Sequence, residues 1–147
     1  MVQSSCVSEL EQVADTMISL TGLSNQHRTI IAGSDSMKLY QLLRRRGFIR
    51  IFTTATYRIP KKQHSVGLIV AQNSPAAIDA ALTQASCFLA NNAAIAVLIE
   101  SRESEFCMKV RRKVEQLGFR IEAGVRCHIG LVLSASRQGT VEMKQAA

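Results

Sequence analysis

TIIAGSDSMKLYQLLRRRGFIRI, residues 29–51, decides how the chain is read. Thr29 to Ala32 is a short apolar run rich in β-branched residues, which reads as a strand, and Gly33-Ser34-Asp35-Ser36 supplies a tight turn and a helix N-cap. Met37, Leu39, Tyr40, Leu42 and Leu43 recur at helical spacing and give the next segment one apolar face. Arg44, Arg45 and Arg46 crowd its last turn, where cations complement the helix dipole, and Gly47 suits the left-handed residue beyond a helix end. Phe48 to Thr53 reads as a second strand. Strand, helix, strand is the unit from which parallel sheets are built.

The same alternation extends outward. Val66 to Ala71 is a continuous apolar strand of the kind buried on both faces, and Asn73-Ser74-Pro75 is a turn that sets Pro75 at a first helical position. Ala76 to Ala90 then reads as an alanine-rich helix with Ile78, Leu82, Ala85 and Leu89 on one face, ended by Asn91-Asn92. Ala94 to Ile99 is a third buried strand closed by Glu100-Ser101, and Glu103 to Leu117 a charged amphipathic helix ended by Gly118. Arg120 to Val125 and Cys127 to Ala135 read as neighbouring strands that turn near Gly124 to Arg126 and pair antiparallel. Toward the N-terminus, Val7, Leu10, Val13, Ala14, Met17 and Ile18 mark an amphipathic helix closing near Gly22. Thr54 to His64 is polar and basic and holds no full helix. The expected fold is α/β: a three-layer αβα sandwich with a mainly parallel, Rossmann-like sheet that ends in an antiparallel strand pair.

Composition agrees with one domain over residues 1–147: an N-terminal helix (1–24), an α/β core (29–137) and a frayed polar tail (138–147). The chain of 147 residues is 47% hydrophobic and 20% charged, with two prolines and eight glycines, which excludes disordered and collagen-like classes. It is also long enough to fold without disulfides or metal. Cys6, Cys87, Cys107 and Cys127 form no CxxC pair and no metal-ligand spacing, so no metal site is expected, and cysteines within apolar runs point to a reducing, cytoplasmic address. The first residues lack the features of a signal peptide and no run is long enough for a membrane span. The net charge of +7 is local. Residues 28–62 carry nine bases (Arg28, Lys38, Arg44, Arg45, Arg46, Arg50, Arg58, Lys61, Lys62) against one acid, Asp35. Such a surplus serves solubility or marks a face for an anionic partner.

Open parallel sheets bind ligands beyond the carboxyl ends of their strands, where the strand order reverses. The candidate binding residues are therefore Gly33, Ser34 and Asp35 after the first strand, Thr53 and Thr54 after the second, and Asn73 and Ser74 after the third. Ser34-Asp35-Ser36 reads both as a helix cap and as an anion site at a helix N-terminus. No P-loop, dinucleotide fingerprint, nucleophile elbow or HExxH motif occurs, and no spacing joins His27, His64 or His128 to a catalytic triad.

The order of elements resembles the class I S-adenosylmethionine-dependent methyltransferases from about Thr29 to Arg137. IIAGSDS resembles the strand and loop that open their cofactor site, HSVGLIVAQNS the middle strand lining it, NNAAIAVLIES the next strand, and LGFRIEAGVRCHIGLVLSAS the terminal pair. One helix and one strand of the family pattern are missing between Thr54 and His64. The glycine-rich first loop is reduced to Gly33, and Thr53 and Thr54 stand where the family usually carries an acid for the ribose hydroxyls. The resemblance implies a methyltransferase-like domain that binds S-adenosylmethionine, or another adenosyl or nucleotide ligand, at the strand ends, with methyl transfer as its chemistry. The charge pattern supports a different expectation, a non-catalytic basic module for nucleic acid or an acidic protein. A homodimer that covers the apolar surface of a short sheet is a third.

Overall fold

The computed structural model describes residues 2–54, 61–71, 74–101 and 103–137. In chain order the elements are α1 (Val2–Thr21), β1 (Thr29–Ala32), α2 (Ser36–Arg45), β2 (Ile51–Thr53), β3 (His64–Ile69), α3 (Pro75–Ser86), β4 (Leu89–Ile99), α4 (Ser104–Gln116), β5 (Phe119–Arg126) and β6 (Leu131–Arg137). The six strands form one sheet in the order β2-β1-β3-β4-β6-β5. β1 pairs parallel with both β2 and β3, and β3 pairs parallel with β4. β6 runs antiparallel to β4 on one side and to β5 on the other. The sheet is thus mainly parallel with an antiparallel pair at its end.

Two apolar layers cover it. On one face Val13, Ala14 and Met17 of α1 and Leu39, Leu42 and Leu43 of α2 pack on Ile31, Val66, Leu68, Ala96 and Leu98. On the other, Ile78, Leu82 and Ala85 of α3 and Phe106, Val110 and Val114 of α4 pack on Ile30, Ile69, Ile95, Val97 and Ile99. Strands β3 and β4 read as unbroken apolar runs because successive side chains feed opposite layers, and both layers are apolar.

Several boundaries move from those expected. α3 ends at Ser86, and Leu89 to Asn92 belong to β4, where Leu89 pairs with His64. Leu89 keeps its place in the α3 layer, so its apolar spacing was right and its backbone state was not. Asn91 and Asn92 are exposed strand residues and end no helix. β2 is only three residues long, because Phe48 to Arg50 carry the chain from the end of α2 to the sheet edge. Gly124 to Arg126 lie within β5, and Cys127 to Gly130 form the turn. Met37 points outward, 51% exposed, leaving Leu39, Leu42 and Leu43 to anchor α2. Gly47 and Gly118 take positive φ beyond the ends of α2 and α4, as the helix-stop pattern requires.

Candidate functional site

From β1 the chain crosses through α2 to β2 on one side, and from β3 it crosses through α3 to β4 on the other. α2 and α3 cover opposite faces, so the strand order reverses between β1 and β3. The tips of these two strands are therefore the switch point at which open sheets hold ligands.

Gly33 leaves β1 with φ +113, and a Cβ there would stand 2.2 Å from the carbonyl oxygen of Val70. The bare Cα is needed for this approach. Two residues on, the Asp35 N–H donates to the same Val70 oxygen at 3.0 Å, so backbone bridges the tips of β1 and β3. Asp35 is the residue before α2, yet its side chain makes no capping hydrogen bond; the expected cap is absent and the carboxylate stays half-buried at the rim. Ser34 is exposed beside it. Thr53 pairs with Ile31 across the β1–β2 ladder and is buried, and the Thr54 N–H donates to the Ile31 carbonyl at 3.2 Å. Ser74 caps α3, its hydroxyl accepting from the Ala77 N–H. Asn73 lies outside the described residues. The structure thus brings Gly33, Ser34, Asp35, Thr53, Thr54 and Ser74 to one end of the sheet.

Three further groups join that end. Glu100 follows β4, Glu9 lies on α1, and His128 lies in the β5–β6 turn with its Nε2 3.1 Å from the Glu9 carboxylate. The His128 N–H donates to Gln12 Oε1 at 3.1 Å, which fixes the turn to α1. Gly130 lets this turn lie on β4, since a Cβ there would meet the Ile99 carbonyl oxygen at 2.3 Å. The Glu100 carboxyl is held above the ordinary carboxylate range, first by partial burial and then by the negative charges of Asp35 and Glu9. Three acids from three separate elements thus share one rim. Beside it, between the starts of α3 and α4, opens a depression of about 210 Å³ lined by Pro75, Ser101, Glu103, Glu105, Phe106 and Lys109.

Sequence reading weighed His128 only as a member of a catalytic triad and gave Glu9 and Glu100 no place in the site. Glu100 was within reach of the same rule that picked Gly33, since it follows a buried strand at its carboxyl end. Glu9 and His128 lie 119 positions apart in the numbering, as 128 minus 9, and only packing joins them. Among the described residues no group of three or more His, Cys, Asp or Glu could hold a metal ion. No described helix is long and apolar enough to cross a membrane.

No protein-family description and no curated protein sequence matches the chain. Solved structures do. A 1,6-didemethyltoxoflavin N1-methyltransferase from Burkholderia thailandensis, solved with bound 1,6-didemethyltoxoflavin and S-adenosylhomocysteine, superposes with a TM-score of 0.59 at 11% identity over 88% of this chain and 78% of that one. A tRNA (m1A58) methyltransferase from Aquifex aeolicus gives 0.57 at 12% identity over 87% and 67%. A 4+2 cyclase gives 0.58 at 10% identity over 86% and 80%. The chain has a class I methyltransferase-like fold, and at this identity the likeness concerns the fold alone.

Proposed function

We propose that this class I methyltransferase-like domain binds a positively charged adenosyl ligand, S-adenosylmethionine, across the tips of β1, β3 and β4. The observation that carries the reading is that Asp35, beside the switch point, and Glu9 of α1 lie near enough to Glu100 at the end of β4 for their charges to raise its pKa. S-adenosylmethionine bears a sulfonium and an ammonium against one carboxylate, so its net charge answers a rim where carboxylates repel one another. A nucleotide phosphate would meet the opposite field.

The residues fit the two ends of that ligand unequally. The cationic methionine end meets Asp35, Glu100 and the backbone turn at Gly33. For the ribose, the end of β2 offers Thr53, buried and 4% exposed, and Thr54, where a carboxylate would accept two hydrogen bonds. Weak binding of the adenosine end follows. When bound, the ligand would supply an electrophilic methyl group. The raised proton affinity of Glu100 suits it to receive a proton from an acceptor.

Titration calorimetry and thermal melts with S-adenosylmethionine and S-adenosylhomocysteine test this reading. The uncharged thioether of S-adenosylhomocysteine should bind more weakly than the sulfonium. Affinity for S-adenosylmethionine should rise with pH as Glu100 ionises, because its raised pKa delays the carboxylate. Glu100→Gln should lose about 5-fold in affinity, a typical value for an exposed charge pair, without lowering the melting temperature of the free protein. No melting shift at millimolar ligand, or equal binding of the two ligands unaffected by Glu100→Gln, overturns the proposal.

A further inference from the structure

Seven of the nine bases of residues 28–62 gather at the opposite end of the sheet; Lys38 lies in the first turn of α2, and Arg58 lies outside the described residues. Arg28 precedes β1, Arg50 precedes β2, Lys61 and Lys62 precede β3, and Arg44, Arg45 and Arg46 close α2, which runs antiparallel to the strands. All seven are exposed. Arg46 is paired with Asp15 of α1, and Arg28 donates to Gln63 Oε1 at 2.8 Å. Arg28, Arg44, Arg45, Arg50, Lys61 and Lys62 have no acidic partner among the described residues. Dipole complementation explains Arg44 and Arg45 alone, because Arg28, Arg50, Lys61 and Lys62 sit at no helix end.

Beside this surface, a shallow concavity of about 590 Å³ runs along α2, lined by Tyr40, Gln41, Arg44 and Arg45. We propose that α2 and the strand-start end of the sheet form a docking surface for single-stranded nucleic acid, with Arg44 and Arg45 on phosphates and Tyr40 as the platform for an unpaired base. Guanidinium forks match pairs of phosphate oxygens, and an aromatic face stacks on any base. Tyr40 is half-buried against the α2 layer of the core, and an acidic peptide would satisfy the charges without using the exposed part of its ring. A duplex hides its bases and would leave the concavity without an occupant.

This surface is separate from the ligand site. Six-residue β3 sets the two ends about 20 Å apart at the usual strand rise. Nucleic acid held here is therefore a docking partner, and the nucleotide on Tyr40 does not reach the carboxylate rim of the same molecule.

Fluorescence anisotropy of the full chain with labelled ten-nucleotide oligouridine and oligothymidine, without adenosyl ligand, tests the proposal between 50 and 200 mM salt. Binding should weaken steeply with salt. Arg44→Glu/Arg45→Glu should lower affinity at least about 10-fold and flatten the log–log salt slope by about 1.4, two phosphate contacts at about 0.7 each on a single strand. Arg44→Gln/Arg45→Gln guards against misfolding and should shift both in the same direction. Tyr40→Leu should lower affinity a few-fold with the slope unchanged, and Arg126→Glu, at the far end, should change nothing. The double variant should keep the wild-type response to S-adenosylmethionine, so failure of either proposal is seen separately. No association at 50 mM salt by folded protein, wild-type binding by the double variant, tighter binding of duplex, or displacement by polyglutamate at equal charge overturns it.

Discussion

Single residues carry constraints that their neighbours in sequence do not reveal. His64 opens β3 after a basic turn and is nonetheless fully buried, its ring edge-on to Phe52 and Phe88 with centroids 5.6 and 6.3 Å away. Its Nδ1 lies 3.1 Å from the Phe88 carbonyl, and Nε2 has no partner among the described residues. Burial holds its pKa below the ordinary value, with the nearby Arg28 charge acting the same way and the Phe88 hydrogen bond opposing both. The unfolded chain therefore takes up the proton first. Stability from this group is intact above about pH 6.5 and declines as pH falls, by at most about 1.4 kcal/mol per pH unit. Urea unfolding at pH 7 and 5.5 should show a smaller acid loss in His64→Leu than in wild type. Gly33→Ala is the harsher change: it sets a Cβ against the Val70 carbonyl at positive φ, and should cost about 2–4 kcal/mol in urea unfolding. The sequence marked Gly33 correctly as a turn residue. It could not show that the turn closes on β3, because that contact spans the sheet.

At the scale of elements, periodicity located nearly every helix and strand and failed where two elements meet. Ala76 to Ala90 has helical spacing throughout, yet the chain turns at Cys87 and Phe88 because Leu89 finds a strand partner in His64. Propensity loses there to pairing. The C-terminal ends of α3 and α4 are joined by one residue of β6. The Arg137 guanidinium donates to Ser86 Oγ at 2.9 Å and to the carbonyls of Leu89, Ala90 and Leu117, and lies 4.4 Å over the Phe119 ring. Sequence reading gave Arg137 no more than the last place of the core. Arg137→Ala should cost about 2–3 kcal/mol in chemical unfolding, since charged hydrogen bonds to half-buried carbonyls are lost together. Lysine should recover only part, as it lacks the planar fork that spans several acceptors. Ser74→Ala, which removes the α3 cap, should cost about 1 kcal/mol.

Across the whole molecule, charge is sorted by the direction of the chain. The helices run against the parallel strands, so Asp35, Glu100 and Glu9 meet at one end while Arg28, Arg44, Arg45, Arg50, Lys61 and Lys62 meet at the other; Lys38 and Arg126 stand at the acidic end. Like charges repel within each end, and the screening of these repulsions should raise the melting temperature by a few degrees as salt rises from 10 to 150 mM. A flat profile would mean that the surplus is dispersed. The sequence by itself determined the alternation of apolar strands and amphipathic helices, the covering of the sheet on both faces and the run of bases, because each is a local pattern of side-chain spacing. Tertiary structure alone decided that β6 lies between β4 and β5, that His64 is buried, that Glu9, Asp35 and Glu100 share a rim, and that seven bases of residues 28–62 gather at the end away from it. Those facts depend on which strand lies beside which, and strand order is set by long-range packing that no window of sequence contains.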